Sequence, residues 1–171
     1  MKKYNHVSTY EKTVSLIETQ PFLKRALHPI SHILTAVYFI VYAWLLYTAF
    51  AKGFAGSTVV CILGAPVLCL LIVTVLRFAV ARPRPYAEDG AGVTPLAKKK
   101  DGVDNSFPSR HVACAFVIST VLLPFATGLA LGAFVFAVAL AFLRFALGLH
   151  YLSDLIGGAV IGTVCGAFIF I

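Results

Sequence analysis

The chain has 171 residues, 60% of them hydrophobic and only 12% charged, with a formal net charge of +7 and a mean hydropathy of +0.90. Soluble domains carry about 25% charged residues, so this composition excludes one and places the chain in a bilayer. The positive charge suits anionic lipid or phosphate. Nucleic acid is excluded as a partner, since there is no long basic run and no helix-turn-helix or RNA-binding pattern.

A membrane helix needs ~20 apolar residues, and a walk along the chain finds five such stretches. The N-terminus, MKKYNHVSTYEK, has no apolar segment behind it, so it reads as neither a signal peptide nor a transit sequence. Residues 10–28 read as an interfacial piece, with Tyr10, Val14 and Ile17 at helical spacing against Glu11, Lys12 and Glu18, and Pro21 restarting a short helix through Leu27. The first span runs from Ile30 to Phe50, closed by Lys52 and Gly53, and the second from Ser57 to Ala81. A polar loop, residues 82–107, follows. The next apolar run is too long for one crossing and is punctuated at Pro124 and Gly128, giving spans from Pro108 to Ala126 and from Leu129 to Leu147. The fifth starts at Tyr151 and reaches the C-terminus. The expected fold is therefore all-α: a polytopic membrane helical bundle of about five transmembrane helices over residues 30–171, preceded by an interfacial N-terminal segment, residues 1–29.

Cys61, Cys69, Cys114 and Cys165 all lie in apolar runs without metal-ligand spacing and read as packing residues. GGAVIGTVCGAF reads as small-residue helix packing. His28 and His32, four apart, have metal-ligand spacing but read as interfacial packing.

Five crossings put the N-terminus, the 82–107 loop and the turn at residues 148–150 on one face. Thirteen of the fourteen lysines and arginines then share that face, and Lys52 alone opposes them. Arg77 and Arg144 fall inside spans, where an arginine costs at least ~2.5 kcal/mol by insertion scales. Snorkelling toward the interface would lower that cost. The alternative is that both point at a bound anion, and their neighbours favour it. Arg77 and Arg84 are seven apart, within ~20° of each other on a helix, and Pro83 and Pro85 stop the helix at the mouth of the bundle. Two guanidinium forks so aimed match phosphate oxygens.

In DNSFPSRH, residues 104–111, Pro108 suits the first position of a helix, which would leave the amides of Ser109, Arg110 and His111 as donors at a positive helix end. Such an end binds phosphate; the Ser109 hydroxyl adds a donor, and His111 is placed to pass a proton. Alone, the octapeptide also fits a capped helix with an interfacial histidine. LRFALGLHYLSD, however, supplies Arg144, His150 and Asp154. His150 and Asp154 are four apart and share a helix face, so the carboxylate can take the proton of one ring nitrogen and leave the other nucleophilic. Arg144 does not share that face on a continuous helix, so Gly148 marks a turn.

These blocks resemble the phosphatidic acid phosphatase type 2 family, membrane-embedded lipid phosphatases whose catalytic centre is shared with soluble vanadium haloperoxidases. The family pattern, a basic residue, six residues and RP, then PSGH, then SR, five residues, H, three residues and D, appears here as Arg77 with Arg84 and Pro85, as PSRH at residues 108–111, and as Leu143 and Arg144 with His150 and Asp154. Arg77 replaces the family's lysine, Arg110 its glycine and Leu143 its serine. The resemblance implies phosphoryl transfer without metal or other cofactor. Arg77, Arg84, Ser109, the Arg110 amide and Arg144 would hold the phosphate, His150 oriented by Asp154 would attack phosphorus, and His111 would protonate the leaving alcohol.

The implied partners are membrane lipids and an amphiphilic lipid phosphate, with prenyl pyrophosphate, phosphatidate and phosphatidylglycerophosphate fitting equally. The implied location is a bacterial cell membrane. Its face stays open: the positive-inside rule puts the site in the cytoplasm, whereas bacterial relatives mostly face outward. Lys98 to Lys100 read as a solvated run that can also draw anionic head groups, and Glu88 and Asp89 as loop charges. The competing class is a non-hydrolytic anion-binding or transport protein, which explains the buried arginines but not a histidine with its own aspartate.

Overall fold

A computed structural model describes residues 21–87 and 105–170. The first twenty residues of the interfacial segment, Glu88, Asp89 and Lys98 to Lys100 lie outside the described residues. Among those described the structure is all-helical, with α1 at Pro21–Ala51, α2 at Gly56–Val80, α3 at Arg110–Leu122, α4 at Thr127–Ala146, α5 at Leu152–Ala167 and a closing 3-10 turn at Phe168–Phe170.

Among the described residues three helices are long and apolar enough to cross a membrane: α1 from Pro29 onward, α2 and α4. The chain is thus a multi-pass membrane protein. Outward side chains on these helices, such as Phe39, Val75 and Val135, are 65–69% exposed, which suits lipid and would be a liability in water. The expected five similar spans need correcting in length. α3 has 13 residues and α5 has 16, about 20 and 24 Å at 1.5 Å per residue, against ~30 Å of hydrocarbon. Both stop short of their expected C-terminal ends, α3 at Leu122 and α5 at Ala167, and α3 also starts two residues late because 105–109 leave helical geometry to build the polar end of the bundle. The expected break between Leu27 and Ile30 is not a break in the helix either, since α1 runs through Pro29.

The core lies between α3 and its neighbours, around Leu45, Ile62, Val73, Val117, Val121 and Leu140. α3 and α5 pack most closely, and glycine is the reason. A Cβ on Gly158 would stand 2.7 Å from the Ser109 carbonyl oxygen, and one on Gly162 would collide with the Ala113 carbonyl and stand 3.0 Å from the Val117 amide. Backbone this close requires glycine. The cysteines are all free, with Cys69 and Cys165 buried in the core as packing groups.

The two ends of the bundle differ. At one, the α1–α2 and α3–α4 turns meet through Phe54 and Phe125, stacked with centroids 5.2 Å apart. At the other, the segments 81–87, 105–109 and 147–151 are tied together by hydrogen bonds.

Candidate active site

Arg77 lies near the C-terminus of α2, buried, and its Nη1 donates to the carbonyls of Pro108 at 3.0 Å and Ser106 at 3.5 Å. The site arginine is therefore held against the segment entering α3. α2 stops at Val80, and Ala81 is left-handed at φ 43° and ψ 38°, its amide returning to the Arg77 carbonyl at 3.1 Å. Arg84 is consequently not on the helix of Arg77. The left-handed turn, not the seven-residue period, brings it back into the bundle, where it is buried. A non-glycine residue there costs on the order of 1 kcal/mol.

Ser109 caps α3 in extended geometry, and its amide donates to the Asp154 carbonyl at 3.0 Å. The expectation of a free Ser109 amide is thereby corrected: α3 begins at Arg110, two residues later than a start at Pro108, because docking on α5 consumes that donor. The Ser109 hydroxyl remains buried without a protein partner. Arg110 heads the helix with its side chain exposed, and His111 is half-buried in the first turn.

The third contribution comes from the turn between α4 and α5. Gly148 has φ 71°, a conformation open to glycine at little cost, and this turn separates Arg144, buried at the end of α4, from His150. His150 is 4% exposed; its Nδ1 lies 3.0 Å from the Ser106 carbonyl and 3.6 Å from Asp154 Oδ2. Both neighbours are acceptors, since a carbonyl cannot donate, so Nδ1 carries the proton and Nε2 keeps its lone pair. The acceptor nearest Nδ1 is thus the Ser106 carbonyl, with the Asp154 carboxylate second. Burial lowers the His150 pKa, opposed by the hydrogen bond and charge of Asp154 and reinforced by Arg84 and Arg77. The imidazole is held neutral.

Asp154 is fully buried in the first turn of α5. Its Oδ2 accepts from the Tyr151 amide at 2.9 Å and from the Ser106 hydroxyl, and its Oδ1 accepts from Arg82 Nη1 at 3.0 Å. Arg82 and Ser106 are site neighbours that the spacing argument missed. The available signal was weak: both stand beside motif residues, in ARPRP and DNSFPSRH, but nothing local pairs either with Asp154.

Arg77, Arg84, Ser109, Arg144, His150 and Asp154 are therefore buried together, while Arg110 is exposed yet within electrostatic range of Arg77. Arg84 is in electrostatic range of Arg77, Arg144 and His150. Several donors point at no protein acceptor: Arg84 Nε, Arg144 Nε and Nη2, and Ser109 Oγ. Burying such donors unpaired is costly, and three like-charged guanidinium groups repel. A multivalent anion relieves both costs. The site's charge disfavours a cation, and its one buried carboxylate already has both oxygens engaged. Among the described residues no cluster of three metal-ligating side chains occurs. His32 is exposed on α1, and the His28 side chain falls outside the described ones.

The fold is similar to that of Aquifex aeolicus LpxE, with a TM-score of 0.74 and 24% identity, covering 96% of this chain and 94% of that one. It is also similar to the transmembrane PAP2-type phosphatidylglycerolphosphate phosphatase from Bacillus subtilis, with a TM-score of 0.70 and 22% identity, covering 97% and 83%. No curated protein sequence matches the chain. The sequence model of the PAP2 superfamily matches residues 58–171, a stretch that contains every one of these buried polar groups, and the chain belongs to that superfamily.

Proposed function

We propose that this protein is a phosphatase of amphiphilic lipid phosphates or pyrophosphates that works through a phosphohistidine. The observation that carries the reading is the set of buried, unpartnered guanidinium and hydroxyl donors around a buried histidine whose Nδ1 is engaged by the Ser106 carbonyl.

In this reading Arg77, Arg84, Arg144, the Ser109 hydroxyl and the Arg110 amide bind the phosphate oxygens and stabilise the charge of an in-line transition state. His150 Nε2 attacks phosphorus as the ester oxygen departs, and Asp154 stabilises the imidazolium character that develops on the ring. His111 delivers a proton to the leaving alcohol and then takes one from the water that hydrolyses the phosphohistidine. The arginines supply the positive charge that a metal supplies in other phosphoryl-transfer sites. A site at one end of an apolar bundle lets the lipid tail stay in the membrane while the head group enters. Prenyl pyrophosphate, phosphatidate and phosphatidylglycerophosphate share this chemistry, and the likeness to the Bacillus subtilis phosphatidylglycerolphosphate phosphatase supports the last of these as a first substrate to try.

The test is phosphate release by detergent-purified protein, with EDTA present, from a panel of prenyl and glycerolipid phosphates. Wild type is expected to release phosphate, and His150→Ala to lose at least about 10³-fold of that activity. Absence of release from every lipid, with inorganic phosphate or vanadate still binding, would sink the enzyme reading in favour of an anion-binding protein.

A further inference from the structure

Arg82 lies among the six positions between Arg77 and Arg84 that the family pattern leaves unassigned, yet it is bonded to the most buried carboxylate of the site. Its Nη1 donates to Asp154 Oδ1 at 3.0 Å and to Ser153 Oγ at 2.7 Å, and its guanidinium carbon lies 3.9 Å from the centre of the Tyr151 ring. The cation is thereby fixed from three directions by the first turn of α5.

Ser106 closes the other side. Its amide donates to the Arg82 carbonyl at 2.7 Å, its hydroxyl donates to Asp154 Oδ2, and its carbonyl accepts from His150 Nδ1 at 3.0 Å. Arg82, Ser106, His150 and Asp154 form one closed ring of contacts, joining the end of α2 to the start of α5.

We propose that Arg82 and Ser106 are positioning residues that orient Asp154 and hold His150 in its Nδ1-protonated tautomer, and that Arg82 limits how strongly the carboxylate acts on the imidazole. The role rests on the proposed nucleophilic function of His150. Its physical basis is the division of labour between the carboxylate oxygens. Oδ1 is engaged by Arg82, so the carboxylate plane is set and Oδ2 faces Ser106, Tyr151 and His150. An exposed ion pair contributes little, and Arg82 is itself 34% exposed, but its partner is fully buried. Removing the cation strands a buried anion next to the histidine, and that penalty falls on the geometry of the site.

The charged groups acting on His150 are Arg84 and Arg77 from the α2 side and Asp154 from α5, with Arg82 reaching the ring through Asp154. Loss of Arg82 removes a positive charge and frees the carboxylate to favour the imidazolium. Both changes move the protonation of His150 to higher pH.

The experiment compares wild type, Arg82→Ala, Arg82→Lys and Ser106→Ala as full chains in detergent. For Arg82→Ala we expect kcat to fall about 10–100-fold, the range seen when outer partners of a functional histidine are removed. KM should stay within about twofold, and the acid limb of kcat/KM should move to higher pH. Arg82→Lys recovers most of kcat and restores the limb. Ser106→Ala shows a smaller loss of kcat with the same signature. A rise in KM with an unmoved pH profile would make Arg82 a substrate ligand, and unchanged kinetics would make it a surface ion pair; either overturns the proposal. Nitrogen-15 NMR of the His150 ring in wild type and Arg82→Lys against Arg82→Gln reads the tautomer and protonation without turnover. It therefore decides the positioning role even if wild type hydrolyses nothing, an outcome that would count against the phosphatase reading alone. An identical His150 titration in all three proteins would overturn the proposal by itself.

Discussion

The two ends of the bundle solve the same problem, joining neighbouring helices, by opposite means. At the Phe54 and Phe125 end each turn closes on itself: the Phe54 amide returns to the Ala49 carbonyl, the Phe125 amide to that of Leu122, and the two turns meet through ring stacking. At the site end the bonds run between segments 29 to 72 residues apart in sequence, from Arg77 to Ser106 and from Arg82 to Asp154. One end is held by local bonds plus an apolar contact that tolerates adjustment. The other is a polar network whose members each satisfy more than one neighbour, so a single loss propagates. Substitutions at the site end should therefore appear in rate and pH dependence, and those at the far end in stability alone.

After His150→Ala, the largest effect is expected from Asp154→Asn. The amide keeps the shape but loses the charge that, in the proposed mechanism, stabilises the His150 imidazolium, and an amide NH₂ facing Arg82 or Ser106 disturbs the ring of contacts. By the precedent of triad aspartates the loss is about 10³- to 10⁴-fold in kcat. The pH profile sharpens the comparison further. His150 has its pKa lowered by burial, so the neutral form, the nucleophile of the proposed mechanism, persists below the ordinary value near 6.5, and the acid limb of wild-type kcat/KM should lie below that pH. Asp154 opposes the lowering, so Asp154→Asn should move the limb lower still, opposite to Arg82→Ala. The same shift makes stability fall as pH drops below about 6.5, since the unfolded chain binds the proton first. An acid limb above the ordinary histidine value in wild type would contradict the burial argument.

Much of this organisation was legible in the sequence, for reasons that also mark where legibility stops. Apolar runs and their punctuation predict helices because length and hydropathy are local properties, and α2 and α4 fall within a few residues of their expected bounds. The start of α5 falls within one residue of its expected place, whereas the start of α3 was missed because it is set by a tertiary bond, from the Ser109 amide to the Asp154 carbonyl. Proline punctuation failed at Pro29, where α1 continues. The four-residue spacing flags His150 and Asp154, although not through the shared helix face it suggests: His150 lies in the turn before α5, which starts at Leu152, and the turn brings it to the carboxylate. Arg77, Arg84 and Arg144 stand out because charge in or beside an apolar run is conspicuous. Arg82 and Ser106 meet Asp154 across 72 and 48 residues. No periodicity encodes such a contact; only closure of the bundle creates it.

A further prediction concerns the seam that connects the two ends. The Cβ of Gly162→Val would enter the space of the Ala113 carbonyl, with Phe116 Cβ at 2.9 Å and the Val117 amide at 3.0 Å, and these cannot yield without separating α3 from α5. The expected cost is about 3 kcal/mol, read as a lowered Tm in detergent. Gly64→Ala is the matched control, because nothing stands within 4 Å of that position, and it should leave Tm unchanged or slightly raised. Equal Tm values for the two variants would show that α3 and α5 do not depend on glycine contact.

The smallest effect belongs to the far end. Phe125→Leu keeps most of the apolar volume but removes the ring that stacks on Phe54 at an interplanar angle of 24°. An aromatic pair contributes about 1 kcal/mol beyond its burial, so Tm should drop by a few degrees. Each turn's own backbone bonds remain, and the site network has no member there, so kcat, KM and the acid limb should match wild type. A changed acid limb in Phe125→Leu would be the more informative failure. It would mean that the position of α3, which carries Phe125 just beyond its C-terminus and Ser109 at its start, is transmitted along 13 helical residues to the imidazole, and that the two ends are mechanically one unit.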